Sequence, residues 1–178
     1  MEEREAKAFA EKQFRKLSEL DCQWNLLHAR YVGMAVEEIS KGKPESVDIK
    51  RLKALSWVHD LGKVKQEEGH PEWGVKLLEK SFELNETDKD CILNHSSLKK
   101  PVSKEAKVFQ KADGISLFYP EVLSFRFWAE AKEGKSFDEI LIGIKEMYEK
   151  YLKAYAADVE AVNLLKRKYT AFFEYPSW

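Results

Sequence analysis

Apolar residues recur three and four positions apart along almost the whole of this chain, and little interrupts them. A segment patterned at the helical period cannot serve as a half-buried strand, because a strand buries alternate residues. Punctuation is sparse too, with 8 Gly and 5 Pro among 178 residues. The expected fold is all-α, a single domain over residues 1–178 that is long enough to bury a core without staples.

Residues 2–20 form the first amphipathic stretch, with Phe9, Phe14, Leu17 and Leu20 as its apolar positions. Asp21 then reads as the N-cap of a second helix in which Trp24, Leu27, His28, Tyr31 and Ala35 share a face. Lys41-Gly42-Lys43-Pro44 should end it. A third helix is expected from Ile49 to Leu61, with Leu52, Leu55 and His59 on one stripe and Gly62 as its stop. Lys63 to Gly69 reads as a loop, and His70-Pro71 restarts helix, Pro71 suiting the first position. Further helices are expected from Asn85 to His95, which turns Cys91, Ile92 and His95 one way, and from Ser103, carrying Val108, Phe109, Ala112 and Asp113. Pro120 interrupts. Ser136-Phe137-Asp138-Glu139 is a capping box ahead of Ile140, Ile144, Met147 and Tyr151. A last helix should run from Val159 to Phe172 into an aromatic tail ending at Trp178, a stretch suited to burial against a second copy in a homo-oligomer.

Charge excludes some partners. Thirty Lys+Arg against 31 Asp+Glu leave a net charge of −1, so no global field recruits long nucleic acid or an anionic membrane. Apolar runs fall short of the roughly 18 residues a membrane span needs. The start, Met1-Glu2-Glu3-Arg4-Glu5, is unlike a secretory leader. Cys22 and Cys91 lie far apart and read as reduced thiols, which makes the expected compartment cytoplasmic.

The histidines carry the chemistry. There are 4, and all belong to one series: His28, the adjacent pair His59-Asp60, His70 and His95, closed by Asp113. His28 and His59 lie on apolar helix faces, and Asp113 follows Ala112 on another. A carboxylate facing a core is costly unless something compensates it, and a divalent cation compensates two carboxylates and several imidazoles at once. His59 and Asp60 stand about 100° apart on a helix, so both reach one cation only where the helix ends. Two His and two Asp suit Mn²⁺, Fe²⁺, Co²⁺, Ni²⁺ or Mg²⁺ with open water positions better than a closed structural zinc site. Water on such an ion becomes acidic enough to act as a nucleophile. His70 and His95 extend the set to six, enough for two ions bridged by Asp60.

In this pattern the chain resembles the HD-domain superfamily of metal-dependent phosphohydrolases. The resemblance rests on His28, His59, Asp60 and Asp113, and on the surrounding Leu61-Gly62-Lys63, His70-Pro71-Glu72-Trp73-Gly74, Asn94-His95-Ser96 and Lys111-Ala112-Asp113. It covers roughly residues 22–118, with a helical extension over about 121–178. It implies hydrolysis of a phosphoester in a nucleotide or small phosphorylated metabolite, with one or two divalent ions (Mn, Fe, Co, Ni, Mg or Zn). Asp60 would be central to catalysis. Lys63 stands where nucleotidase-like members carry Glu, and offers a cation for a substrate phosphate. His95-Ser96-Ser97 and the lack of Gly-Tyr-Pro set the chain apart from the cyclic-dinucleotide branch. The six-ligand set also resembles di-iron oxygenase members, and a non-catalytic domain that binds a nucleotide or partner is the third reading. Arg30, half a turn after His28, reaches either a ligand or solvent. Glu67 and Glu68 read as solvated loop carboxylates or a general acid/base, and Lys99-Lys100 as a solvated turn.

Overall fold

The computed structural model describes residues 1–41, 47–96 and 99–174, which contain helices and turns and no strand. The helices are α1 (Glu3–Phe14), α2 (Glu19–Ser40), α3 (Ile49–Val58), α4 (His70–Leu78), α5 (Glu86–Leu93), α6 (Lys104–Ser116), α7 (Pro120–Lys132), α8 (Phe137–Ala154) and α9 (Val159–Glu174), with a 3₁₀ turn at Leu61–Val64. The all-α expectation holds. No described helix is long and apolar enough to cross a membrane. The expected end of α2 at Gly42 to Pro44 and the tail from Tyr175 to Trp178 lie outside the described residues.

The central helix is α2. It packs on α3 along one side and α6 along another, while α1 lies over α3 and α4 over the 3₁₀ turn. One hydrophobic cluster runs from Ala6 and Phe14 in α1, through Leu55, Ile92 and Phe109, to Leu164 and Leu165 in α9. A smaller cluster of Leu123, Ile140 and Ile144 joins α7 to α8. Polar ties fix the packing. Asp88, 1% exposed, takes a two-pronged ion pair from Arg51, binding α5 to α3. Asp90 accepts from the Val102 and Ser103 backbone N–H groups at 3.0 and 2.6 Å, holding α5 to the start of α6. Cys22 and Cys91 are free thiols.

Several helix ends differ from expectation. The first helix stops at Phe14, and α2 is capped by Ser18, not Asp21. Ser18 Oγ accepts from the Asp21 N–H at 3.1 Å and donates to its carboxylate at 2.6 Å. Asp21 is thus the third residue of its helix, where an acidic group suits the dipole. Helix α3 ends at Val58, before His59, and α5 ends at Leu93, before His95. Pro120 does more than interrupt, since it opens α7 from the first turn.

Gly62 is not the stop that the sequence pattern predicts. It lies buried inside the 3₁₀ turn. A Cβ at this position would sit 1.8 Å from the His70 carbonyl oxygen and 2.7 Å from the Gly74 nitrogen. The residue is glycine so that the turn after His59-Asp60 can press against the first turn of α4. Gly69, at φ +70, supplies the left-handed bend into that helix.

Candidate metal centre

The helix breaks bring the six side chains together. His28 projects from the middle of α2, His59 and Asp60 from the end of α3, His70 from the start of α4, His95 from just beyond α5, and Asp113 from the last turn of α6. All but His70 are at least nine-tenths buried. Two triads have ligand atoms close enough to share an ion: His28, His59 and Asp60, and Asp60, His70 and His95. Asp60 is common to both. Its Oδ2 lies 3.5 Å from His59 Nε2 and 3.8 Å from His28 Nε2, and its Oδ1 lies 3.1 Å from His70 Nε2 and 3.5 Å from His95 Nε2. Asp113 Oδ1 completes the first group, 3.0 Å from His28 Nε2 and 3.3 Å from His59 Nε2.

The outer ring nitrogens fix which atoms face inward. His59, His70 and His95 each direct Nδ1 to the carbonyl three residues back: Ser56 at 2.8 Å, Glu67 at 2.8 Å and Ile92 at 2.7 Å. A carbonyl only accepts, so Nδ1 carries the proton. The Ser116 hydroxyl donates to the Asp113 carbonyl at 2.6 Å, which leaves its oxygen to accept from His28 Nδ1 at 3.1 Å. In every neutral ring, therefore, the Nε2 lone pair points into the cluster, the arrangement that a ligating imidazole needs.

Without a positive ion such a cluster is frustrated. As neutral rings, His70 and His95 would bring their Nε2 lone pairs to 3.2 Å of each other. His59 Nε2 and Asp60 Oδ1 are buried with no aligned hydrogen-bond partner among the described residues, although other ligand atoms lie close to both. The residues present fit divalent cations on this ground. Protons otherwise supply the charge. Burial opposes a charged His59, but Asp60 and Asp113 outweigh it and raise its pKa. His70 is raised against burial by Asp60, whereas burial lowers His95. Asp60 is held well below the usual carboxylate range despite burial, by the charges of His59 and Lys63 and the contact with His70. Asp113 is likewise lowered against burial by His28 and His59.

Other candidates fall in different places. Lys63, in the 3₁₀ turn, reaches the centre, with Nζ 2.9 Å from Asp60 Oδ2. Arg30 does not join it. Two residues on from His28 is a rotation of about 200°, and the side chain is exposed beside a depression formed with Lys7, Glu37, Lys53 and Trp57. Glu67 and Glu68 are exposed in the loop, and it is the Glu67 backbone that serves the centre, through its carbonyl to His70. Lys99 and Lys100 are exposed.

Sequence reasoning missed Ser116 and Gln110, and it read Trp24 and Phe109 only as apolar helix positions. Ser116 lies one helical turn beyond Asp113, and an Asp-x-x-Ser run on the closing helix is the signal that finds it. Gln110 amide N–H groups reach the carbonyls of Asn94, Ser96 and Lys99 at 3.0, 2.6 and 3.1 Å, clamping the segment that carries His95. Trp24 stacks on the His28 ring, with planes 4° apart, and Phe109 meets His59 edge-on.

A family model described as HD domain matches residues 26–117, a span that contains all six convergent side chains. Neither the comparison with curated proteins nor that with solved structures returns a match. With the match covering just over half of its length, on an all-α fold whose described helices converge on the His-Asp pair, the chain belongs to the HD domain family.

Proposed function

We propose that this protein is a metal-dependent phosphohydrolase acting on a phosphoester of a nucleotide or small phosphorylated metabolite. The observation that carries the proposal is Asp60, a single buried carboxylate that presents one oxygen to each of two histidine pairs. His28, His59, Asp60 and Asp113 would hold one cation, and His70, His95 and Asp60 a second. Divalent ions there would supply an acidified water and charge neutralisation for phosphoryl oxygens.

The remaining work falls to the chain itself. The backbone carbonyls of Ser56, Glu67 and Ile92 and the Ser116 hydroxyl hold the four rings in the ligating tautomer. The apolar packing of Trp24 and Phe109 keeps bulk water off His28 and His59. His70, with 17% of its side chain exposed, and Lys63, with 19%, are more open than His28, His59 and Asp60. A phosphate therefore enters on their side, and the Lys63 ammonium meets its oxygens.

The test is metal analysis of the purified protein with a screen of phosphomonoesters and phosphodiesters in Mn²⁺, Co²⁺, Ni²⁺ and Mg²⁺. Turnover in at least one metal form, lost in Asp60→Ala, is expected. A protein that binds metal and consumes oxygen as its iron form, without cleaving any phosphoester, would refute the proposal in favour of an oxygenase. A protein that neither binds metal nor turns over would refute it in favour of a binding role.

A further inference from the structure

The two halves of the centre differ in a way that their ligands do not account for. Asp60 Oδ1, facing His70 and His95, has no aligned donor among the described residues. Oδ2, facing His28 and His59, already carries the Lys63 ammonium at 2.9 Å, nearer than either imidazole nitrogen. A cation held by His28, His59 and Asp60 has to use that same oxygen. Lys63 also has a second carboxylate in reach, with Glu67 Oε1 3.8 Å from Nζ on a side chain that is 78% exposed. The ammonium therefore stands between a buried partner and an exposed one.

We infer that Lys63 is a built-in counter-ion for Asp60 that the first metal displaces, and that the displaced ammonium then captures the substrate phosphate. The inference rests on the proposed first-metal site. The reasoning is electrostatic. In the metal-free protein a buried carboxylate needs a cation close by, and Lys63 provides it. Once a divalent ion shares Oδ2, two positive groups a few ångströms apart repel strongly in a water-poor site, which drives the flexible one outward. Phosphate capture is thereby made to follow metal loading.

Competition and clamping give opposite signs on removal of the charge, which a passive structural lysine would not. The experiment uses the full chain with Lys63→Met, Lys63→Gln and the charge-keeping Lys63→Arg. Mn²⁺ alone is titrated by chelator competition, and inorganic phosphate is then titrated into the Mn²⁺-loaded proteins. The Met and Gln variants are expected to bind Mn²⁺ at least tenfold more tightly and phosphate at least tenfold more weakly, with Lys63→Arg within a few fold of wild type for Mn²⁺. Their melting temperatures should fall without metal and recover with it. Unchanged or weaker Mn²⁺ binding in both uncharged variants overturns the displacement, and tighter Mn²⁺ with unchanged phosphate overturns the capture. A variant that stays unfolded in excess Mn²⁺ also counts against it, since the ion then fails to replace the ammonium. If wild type binds Mn²⁺ but cleaves no phosphoester, the proposed activity falls and the Mn²⁺ titration still decides the displacement. If it cleaves phosphoesters and the variants bind Mn²⁺ like wild type, only the role of Lys63 falls.

Discussion

Gly62→Ala tests whether the close approach of two backbones builds the second half of the centre. The added Cβ would lie 1.8 Å from the His70 carbonyl oxygen, 2.6 Å from its carbon and 2.7 Å from the Gly74 nitrogen. No side-chain rotation relieves these contacts, because the three nearest atoms are all backbone. Reaching an ordinary contact of 3.4 Å requires α4 to retreat from the 3₁₀ turn by roughly 1.6 Å, an overpacking change that typically costs about 1–3 kcal/mol. For a chain of this size that is a fall of roughly 2–12 °C in melting temperature. The larger effect should be on metal. His70 begins α4, and a ligand displaced by more than an ångström is far outside the ~0.2 Å tolerance of a metal–ligand bond. The His70–His95 half-site should then lose affinity at least tenfold while the His28–His59 half keeps its ion. Differential scanning calorimetry with metal counting on the same samples reads both effects. A variant that melts like wild type and still binds two equivalents would refute the reasoning, because α4 would then be free to shift without cost.

Asp60→Asn should lower metal content below one ion per chain and any phosphoester turnover more than a hundredfold, as read by elemental analysis and initial rates; a fully loaded, active variant would contradict Asp60 as the shared ligand. Metal affinity should rise as pH climbs above the ordinary imidazole value of 6.5, because ions must expel protons that Asp60 and Asp113 help hold on His59, and Asp60 on His70, against burial. Calorimetry in buffers of different ionisation enthalpy should show proton release, and a pH-independent affinity would contradict this. For the metal-free protein, the raised His59 and His70 stabilise below the ordinary imidazole value of 6.5 and lose that contribution as pH rises through their folded values. The depressed Asp60 stabilises above the ordinary carboxylate value of 3.8 and loses that contribution in acid. His95, lowered by burial, contributes in the opposite sense below 6.5, so with two raised histidines against one lowered, maximum metal-free stability should lie between these values, and a denaturation series peaking above pH 7 would sink the argument. Arg51→Met strands the buried Asp88 carboxylate and should cost about 3 kcal/mol in urea denaturation, with metal stoichiometry unchanged.

The convergent set of six was legible because His and Asp on apolar helix faces are costly anomalies, and an anomaly repeated at spaced positions has few explanations. The all-α architecture was legible because its period is written in the apolar residues. What escaped were features with two physical causes and one spelling. Gly62 after a helical run reads as a stop, yet here it is the space for the His70 carbonyl. Ser18 and Asp21 are both good caps, and only the fold selects between them. Arg30 lies close to His28 in sequence but about 200° away around the helix. Gly114, which the sequence pattern does not single out, leaves room for the Tyr155 hydroxyl and the Tyr151 ring edge where a Cβ would stand, so that the end of α8 braces α6 beside Asp113.

The anchoring of the four rings carries an implication for the order in which the protein takes shape. His59, His70 and His95 are each aimed by a carbonyl only three residues earlier, so a local turn suffices to set each of those rings. His28 is different, because its anchor, Ser116, lies 88 positions away on another helix. Three imidazoles thus depend for their orientation only on their own segments. The fourth depends on the docking of α2 and α6, the same contact that brings in Asp113. Assembly of the first half of the centre is in this sense a report on that one long-range contact, and a metal that needs His28 and Asp113 together would bind only chains in which it has been made.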